Sequence, residues 1–485
     1  MKSSGQFITS LTLFLAMAGA AVIVAGCASP AGIAPTARTI DAATLVHDTA
    51  PADTLPDTWW KSFRDTQLDD LVDRALASNP SLAVVRLRIE RAGALVDAAD
   101  AARLPRADVG LDITRERYSA QAAFPPALAG TTKNSGSLLV TGSWELDVFG
   151  RQRSALDAAV GSRRAAEADY QAARVLLASN VVRQYVRLAA LDDQRAVLER
   201  SLAQREELLG LIRQRVDGGL DTSVELRQGE GAVPEIRAAI EATDEQRALT
   251  RHVLAALTAQ GPDALNGATP RLASVALLAM PQALPADLLG RRADIIAARW
   301  RVEAATHDLQ SARADFYPSI NLMAFAGFSA IGLNNLLEAG SRQYGVGPAV
   351  RLPLFDAGRL RAHYKGKAVD VDGAVEAYNA AVIDAVREAA DALTSVRSVE
   401  RQQHEQALAL ASSESAYDLA LQRYRGGLGS YLTVLTAETN VLAQRRAASD
   451  IKARALDSQA LLARALGGGY VQAEDPKQGR TRNGA

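Results

Sequence analysis

The sequence predicts a mainly α-helical protein with a small membrane-type β part, built from two copies of one structural unit. Three observations lead there: an internal repeat, two proline-free stretches far longer than ordinary helices, and four runs in which apolar and polar residues alternate. The repeat is sharpest where Gln214-Arg215-Val216-Asp217-Gly218-Gly219-Leu220 matches Gln422-Arg423-Tyr424-Arg425-Gly426-Gly427-Leu428. It recurs where Trp144-Glu145-Leu146-Asp147-Val148-Phe149-Gly150-Arg151 is echoed by Val350-Arg351-Leu352-Pro353-Leu354-Phe355 and the following Gly358-Arg359. Both copies have the order helix, Pro break, two strand-like runs, very long helix, Gly-Gly-Leu turn, helix. One copy occupies residues 67–260 and the other 286–469, joined by a proline-rich connection over 261–285.

Gln152 to Val216 contains no proline and only Gly161 and Gly210 as glycines. Ala, Leu, Arg, Glu and Gln dominate it, the residues that lose least on entering a helix. Leu198, Leu202, Leu209, Ile212 and Val216 keep a three-four spacing, interrupted at Arg205, which marks one buried seam. At 1.5 Å per residue such a helix is roughly 95 Å long, and Leu360 to Tyr424 repeats its length and composition. Helices of this size cannot fold back into a globule and must pack along one another. Shorter partners are expected over Gln67–Arg103, Thr222–Ala259, Asp287–Asp315 and Tyr431–Leu466, with breaks or kinks at Asn79-Pro80 and Pro234.

Between the helices the period changes from 3.6 to 2. Strands are predicted at about 107–117 and 136–148 in the first copy, and about 319–329 and 343–353 in the second. Val109, Leu111 and Ile113 alternate with Asp108, Gly110 and Asp112, the pattern of a lipid-facing barrel strand. Four strands cannot close a barrel, and each unpaired backbone group facing lipid costs several kcal/mol. The strands must therefore be shared between copies of the chain; this reasoning excludes a monomer without fixing the number of copies.

The N-terminus reads as an export signal over residues 1–26, with Lys2 ahead of an uncharged run that ends in Val24-Ala25-Gly26-Cys27. Cys27 is the only cysteine among 485 residues, so no internal disulfide forms, and it stands where a bacterial lipobox places its lipid attachment. Residues 27–66 then form a tether, and residues 470–485 a polar tail. A net charge of −1 gives no field for nucleic acid. The five histidines are scattered without metal-ligand spacing, and no nucleophile or phosphate-binding motif is present, so no catalytic site, metal or cofactor is expected.

Taken together, Trp59-Trp60-Lys61-Ser62-Phe63, Ala75-Leu76-Ala77-Ser78-Asn79-Pro80-Ser81-Leu82, Phe316-Tyr317-Pro318-Ser319-Ile320 and Ala465-Leu466-Gly467-Gly468-Gly469 resemble the TolC-like outer-membrane factors, most of all their NodT/OprM-type lipoprotein branch. The resemblance implies a trimer with a shared twelve-stranded β-barrel in the outer membrane of a Gram-negative bacterium and a periplasmic α-barrel. It implies a passive duct in a tripartite efflux system, of RND type, exporting drugs or toxic small molecules. Its partners would be identical copies, a periplasmic adaptor (membrane fusion protein), an inner-membrane pump and outer-membrane lipid. Carried over from the family, Gly219, Leu220, Asp221 and Thr222 form one adaptor contact, and Gly427, Leu428, Gly429 and Ser430 the other. A hydrophobic ring falls on Leu432, while the family's acidic and basic aperture positions fall on Thr436 and Thr439 and have lost their charge. Glu438, with Glu225 and Arg227 on the matching helix, remains as material for a rearranged latch. The alternatives are a type I secretion duct for polypeptides and a pore-less periplasmic coiled-coil lipoprotein; two helical hairpins flanking paired strands argue against the latter.

Overall fold

The computed structural model describes residues 29–41, 44–45, 55–278 and 291–470; the export signal, Cys27 and most of the C-terminal tail lie outside them. The described helices are α1 (Thr66–Ser78), α2 (Pro80–Ala101), α3 (Arg151–Asp217), α4 (Ser223–Leu257), α5 (Ala293–Ala314), α6 (Arg359–Arg425) and α7 (Tyr431–Ala465). The strands are β1 (Arg106–Arg117), β2 (Thr132–Leu146), β3 (Ser319–Ile331) and β4 (Arg342–Arg351). Both α3 and α6 have 67 residues, so each exceeds its expected span by one residue at either end. Asn79 separates α1 from α2, as its proline neighbour requires, and its side chain accepts from the N–H groups of Ser81 and Leu82. Pro234 does not break its helix: α4 runs through it.

The chain divides into two compact units. The first comprises residues 89–166 and 298–378 with the described part of 1–39. Its centre is one antiparallel sheet in the order β1-β2-β3-β4. Strand β2 begins at Thr132, earlier than the composition suggested, because Lys133 and Thr132 continue the pairing opposite Glu116 and Arg117. One face presents Val109, Leu111, Ile113, Val346 and Val350, each at least 60% exposed. Every residue of β1 is exposed, and the outer edges of β1 and β4 have no strand beside them among the described residues. At both corners from strand to long helix an aspartate supplies the cap. Asp147 accepts from Gln152 and Arg153 N–H, and Asp356 from Gly358 and Leu360 N–H. A small core of Leu309, Ala312, Tyr364, Ala368 and Val371 joins α5 to α6. The N-terminal segment lies along α6, where Asp372 accepts from the Thr36 and Ala37 N–H groups at 2.7 and 2.8 Å.

The second unit comprises residues 167–297 and 379–470 with the described part of 40–88. Trp59, Phe63, Leu68, Val72, Val182, Leu188, Leu254, Leu272 and Ala460 form its main core. Asp65 caps α1 through the N–H groups of Gln67 and Leu68, and also accepts from the Tyr185 hydroxyl at 2.9 Å and the Ser274 hydroxyl at 3.0 Å. Burial first, and then the charge of Asp65, raises the pKa of the Tyr185 hydroxyl. Of the predicted seam on α3, Leu198 and Ile212 are fully packed and Leu209 nearly so, while Leu202 and Val216 are half-buried.

Candidate functional site

Two helix-turn-helix tips lie in the second unit, and their first halves are the same by construction. At the end of α3, Gly219 has φ +73°, its N–H reaches Val216 O at 2.9 Å, and Leu220 N–H reaches Arg215 O at 2.8 Å. At the end of α6, Gly427 has φ +73°, with the matching bonds to Tyr424 O and Arg423 O at 3.0 and 2.8 Å. Glycine removes the Cβ penalty of this left-handed position, and the two bonds satisfy carbonyls the helix would leave open. Each turn then throws a leucine outward: Leu220 is 69% and Leu428 74% exposed. One turn further on, Val224 and Leu432 occupy equivalent positions and are also exposed.

The second halves differ. Asp221 receives Arg215 through two bonds of 2.9 and 3.1 Å and the Tyr424 hydroxyl at 2.6 Å. The Arg215 guanidinium also stacks 4.7 Å above the Tyr424 ring. The bonds from Arg215, reinforced by Tyr424, hold the Asp221 carboxyl below the usual carboxylate range against the pull of burial. Asp221 was expected as a docking residue, yet its side chain is only 10% exposed and is spent on tying the two tips together. Thr222 and Glu225 form a complete capping box on α4, and the Thr222 hydroxyl holds the Glu225 carboxyl below its ordinary pKa. At the other tip Gly429 stands where Asp221 would, and Ser430 makes no side-chain cap, its hydroxyl facing Thr433 Oγ1 at 3.1 Å.

The expected latch residues do not assemble. Glu438 is a correction: it does not line an aperture but is 4% exposed, inside the helical packing. Arg205, the interruption in the α3 seam, meets it at 3.2 Å, donates to Ala232 O at 2.8 Å, and reaches Glu235 at 3.2 Å. Burial pushes the Glu438 carboxyl up, with the Arg205 charge opposing. Glu225 is occupied by its cap, and Arg227 lies exposed with Glu230 at 2.9 Å. Thr436 and Thr439 are exposed but donate to Leu432 O and Leu435 O on their own helix. Asp192 is 11% exposed and ion-paired with Arg247 at 2.5 Å. Sequence reasoning missed Arg205 and Tyr424 as site residues; a charge in an apolar seam was the available signal for the first.

Among the described residues no group of His, Cys, Asp and Glu could hold a metal ion, and no helix is long and apolar enough to cross a membrane. A sheet with an exposed apolar face, two open edges and two long helical hairpins defines a subunit of an outer-membrane duct. The profile of the outer membrane efflux protein family matches residues 71–260 and 284–468, and the chain belongs to that family. It is 36% identical over 370 residues to the fusaric acid resistance protein FusA of Burkholderia cepacia, covering 73% of this chain and 69% of that one. It is 31% identical to the multidrug resistance outer membrane protein MdtQ of Escherichia coli O6:H1, covering 91% of this chain and 96% of that one. Its fold is similar to the crystal structure of the outer membrane protein VceC from Vibrio cholerae, with a TM-score of 0.80 at 33% identity over 86% of this chain and 99% of that one.

Proposed function

We propose that the chain assembles as a trimer into a passive outer-membrane duct, the exit of a tripartite system that exports drugs or other toxic small molecules. The observation that carries this is the four-stranded sheet whose two edges end unpaired beside an exposed apolar face. In lipid those edges must be covered, and pairing β1 of one copy with β4 of the next covers both without new chain. Three copies supply twelve strands, within the range of closed outer-membrane barrels. Cys27 carries the lipid anchor, and the helices extend into the periplasm.

In this reading the tips are the inner ends of the duct. Leu220 and Leu428, with the flanking Gly219, Thr222, Gly427, Gly429 and Ser430, face a periplasmic adaptor that bridges to an RND-type pump, while Asp221 fastens the tip behind them. Transport energy comes from that pump; the duct performs no catalysis of its own. The relatives named for fusaric acid and multidrug resistance favour small solutes over polypeptides.

The mass of the detergent-extracted protein and its conductance in a planar bilayer test the reading together. Three chains per particle and a current that rises when the tip is opened are expected. A stable, membrane-extracted single chain would overturn it.

A further inference from the structure

The lipid-side face of the sheet changes character abruptly at the strand ends remote from the helices. On β1 the residues of that face are Ala107, Val109, Leu111 and Ile113, and the same alternation then brings Arg115 and Arg117. On β4 they are Val350, Pro348, Val346 and Tyr344, and the next is Arg342. Each strand thus offers four apolar side chains and then an arginine. At about 3.3 Å per residue the two apolar stretches have matching length. Tyr344, at 85% exposed, stands where barrels place an interfacial aromatic.

All three arginines are exposed, and none forms an ion pair among the described residues. The register accounts for this: Arg115 faces Asn134, Arg117 faces Thr132, and Arg342 faces Phe328, so no carboxylate stands opposite any of them. Glu116 points to the other face of β1 by the strand's own alternation. Guanidinium groups that follow an apolar run on the same strand face fit phosphate oxygens, which they bind in a two-pronged fashion.

We propose that this rim binds the phosphates of the outer leaflet's phosphorylated glycolipid, lipid A. The inference rests on the trimeric reading, which brings β1 of one copy beside β4 of the next. Arg115, Arg117 and Arg342 of the neighbouring copy then share each subunit boundary, giving three equivalent sites per duct. The apolar side chains below them meet the acyl chains of the same lipid. The site thereby also covers the seam between copies.

The test is native mass spectrometry of the wild-type protein in mild detergent, titrated with diphosphoryl lipid A, dephosphorylated lipid A and phosphatidylglycerol. The mass of the unliganded particle comes first; a single chain there sinks the duct reading, separately from the lipid site. With a trimer in hand, the expected result is up to three diphosphoryl lipid A molecules bound. Binding of the dephosphorylated lipid and of phosphatidylglycerol should be at least tenfold weaker. The combined variant Arg115→Ser, Arg117→Ser, Arg342→Ser should lose that preference, and the corresponding triple lysine variant should keep most of it. Equal binding of phosphorylated and dephosphorylated lipid A, or of phosphatidylglycerol, overturns the proposal without any variant having to fold. So does undiminished lipid A binding by the triple serine trimer.

Discussion

At the first tip Asp221 holds Arg215 and Tyr424, and Thr222 with Glu225 caps α4; at the second, Gly429 and Ser430 leave the same turn without either device. The backbone of the two turns is the same, down to a φ of +73° at Gly219 and Gly427. The two repeats therefore share the reversal of the chain and differ in the side chains that fasten it. The consequence is energetic: a helix start with a complete cap and an ion pair resists fraying, and one without them opens at lower cost. The second tip is the softer of the two. Hydrogen exchange at the first turns of α4 and α7 measures the contrast directly, with faster exchange expected in α7.

The largest expected effect comes from Arg205, which lies on α3 and fastens both return helices, through Ala232 O and Glu235 on α4 and Glu438 on α7. Arg205→Ala leaves the Glu438 carboxylate buried without its counter-charge, a loss of about 3–5 kcal/mol for a pair of this kind. Replacing both partners by apolar residues, as in Arg205→Met with Glu438→Leu, should restore most of that stability, because desolvation is removed along with attraction. Thermal unfolding of the detergent-solubilised protein compares the single and double variants. A single variant as stable as wild type would show that the pair does not hold the return helices together.

Asp221 ranks next. Asp221→Ala removes the acceptor for Arg215 and for the Tyr424 hydroxyl, and hydrogen bonds to a charged group are worth about 1.5–3 kcal/mol each set. The loss should appear as faster exchange at both tips, since the clasp joins α6 to the first turn; a loss confined to one tip would break the comparison. The sign of the pH dependence follows from the shifts. The Asp221 carboxyl is held low in the folded protein, so its stabilisation is present above the unfolded pKa of about 3.9 and lost as pH falls through the lower folded value. Glu438 is raised, so its ionisation costs stability as pH rises through the window from about 4.3 to the folded value. Acidification therefore loosens the clasp while easing the buried pair, and Asp221→Asn should abolish only the first effect.

Much of this architecture could be read from residues alone, and the reasons are local. The long helices follow from the absence of proline and the seam spacing, and the Gly-Gly-Leu turns from the left-handed position that glycine fills cheaply. The sheet follows from alternation over about ten residues. What could not be read is contact between distant segments. Arg205 was visible as a flaw in a seam, but its partner lies 233 residues away, and nothing local distinguishes the buried Glu438 from an aperture carboxylate. Tyr424 occupies the position that Val216 holds in the first repeat, and only packing reveals that its hydroxyl crosses to Asp221. The Arg115, Arg117 and Arg342 rim is intermediate: alternation places each residue on its face, while the strand pairing shows that no carboxylate faces it.

The smallest effects provide the sharpest control, because they separate the shared turn from the unshared fastening. Gly219→Ala and Gly427→Ala each force a Cβ into a left-handed conformation, and each should cost about 1 kcal/mol, equal within error at the two tips. Thr222→Ala removes a hydroxyl that caps Val224 N–H and should cost about 1 kcal/mol. Ser430→Ala removes one that caps no backbone group, and should change little. Hydrogen exchange at the first turn of α4 and of α7 in these four variants provides the readout. Equal glycine effects beside unequal cap effects mean that the tips diverged only in their side-chain fastenings. Equal effects in both pairs would mean that Ser430 caps α7 in solution after all, and that the softness of the second tip rests on the missing clasp at Gly429 alone.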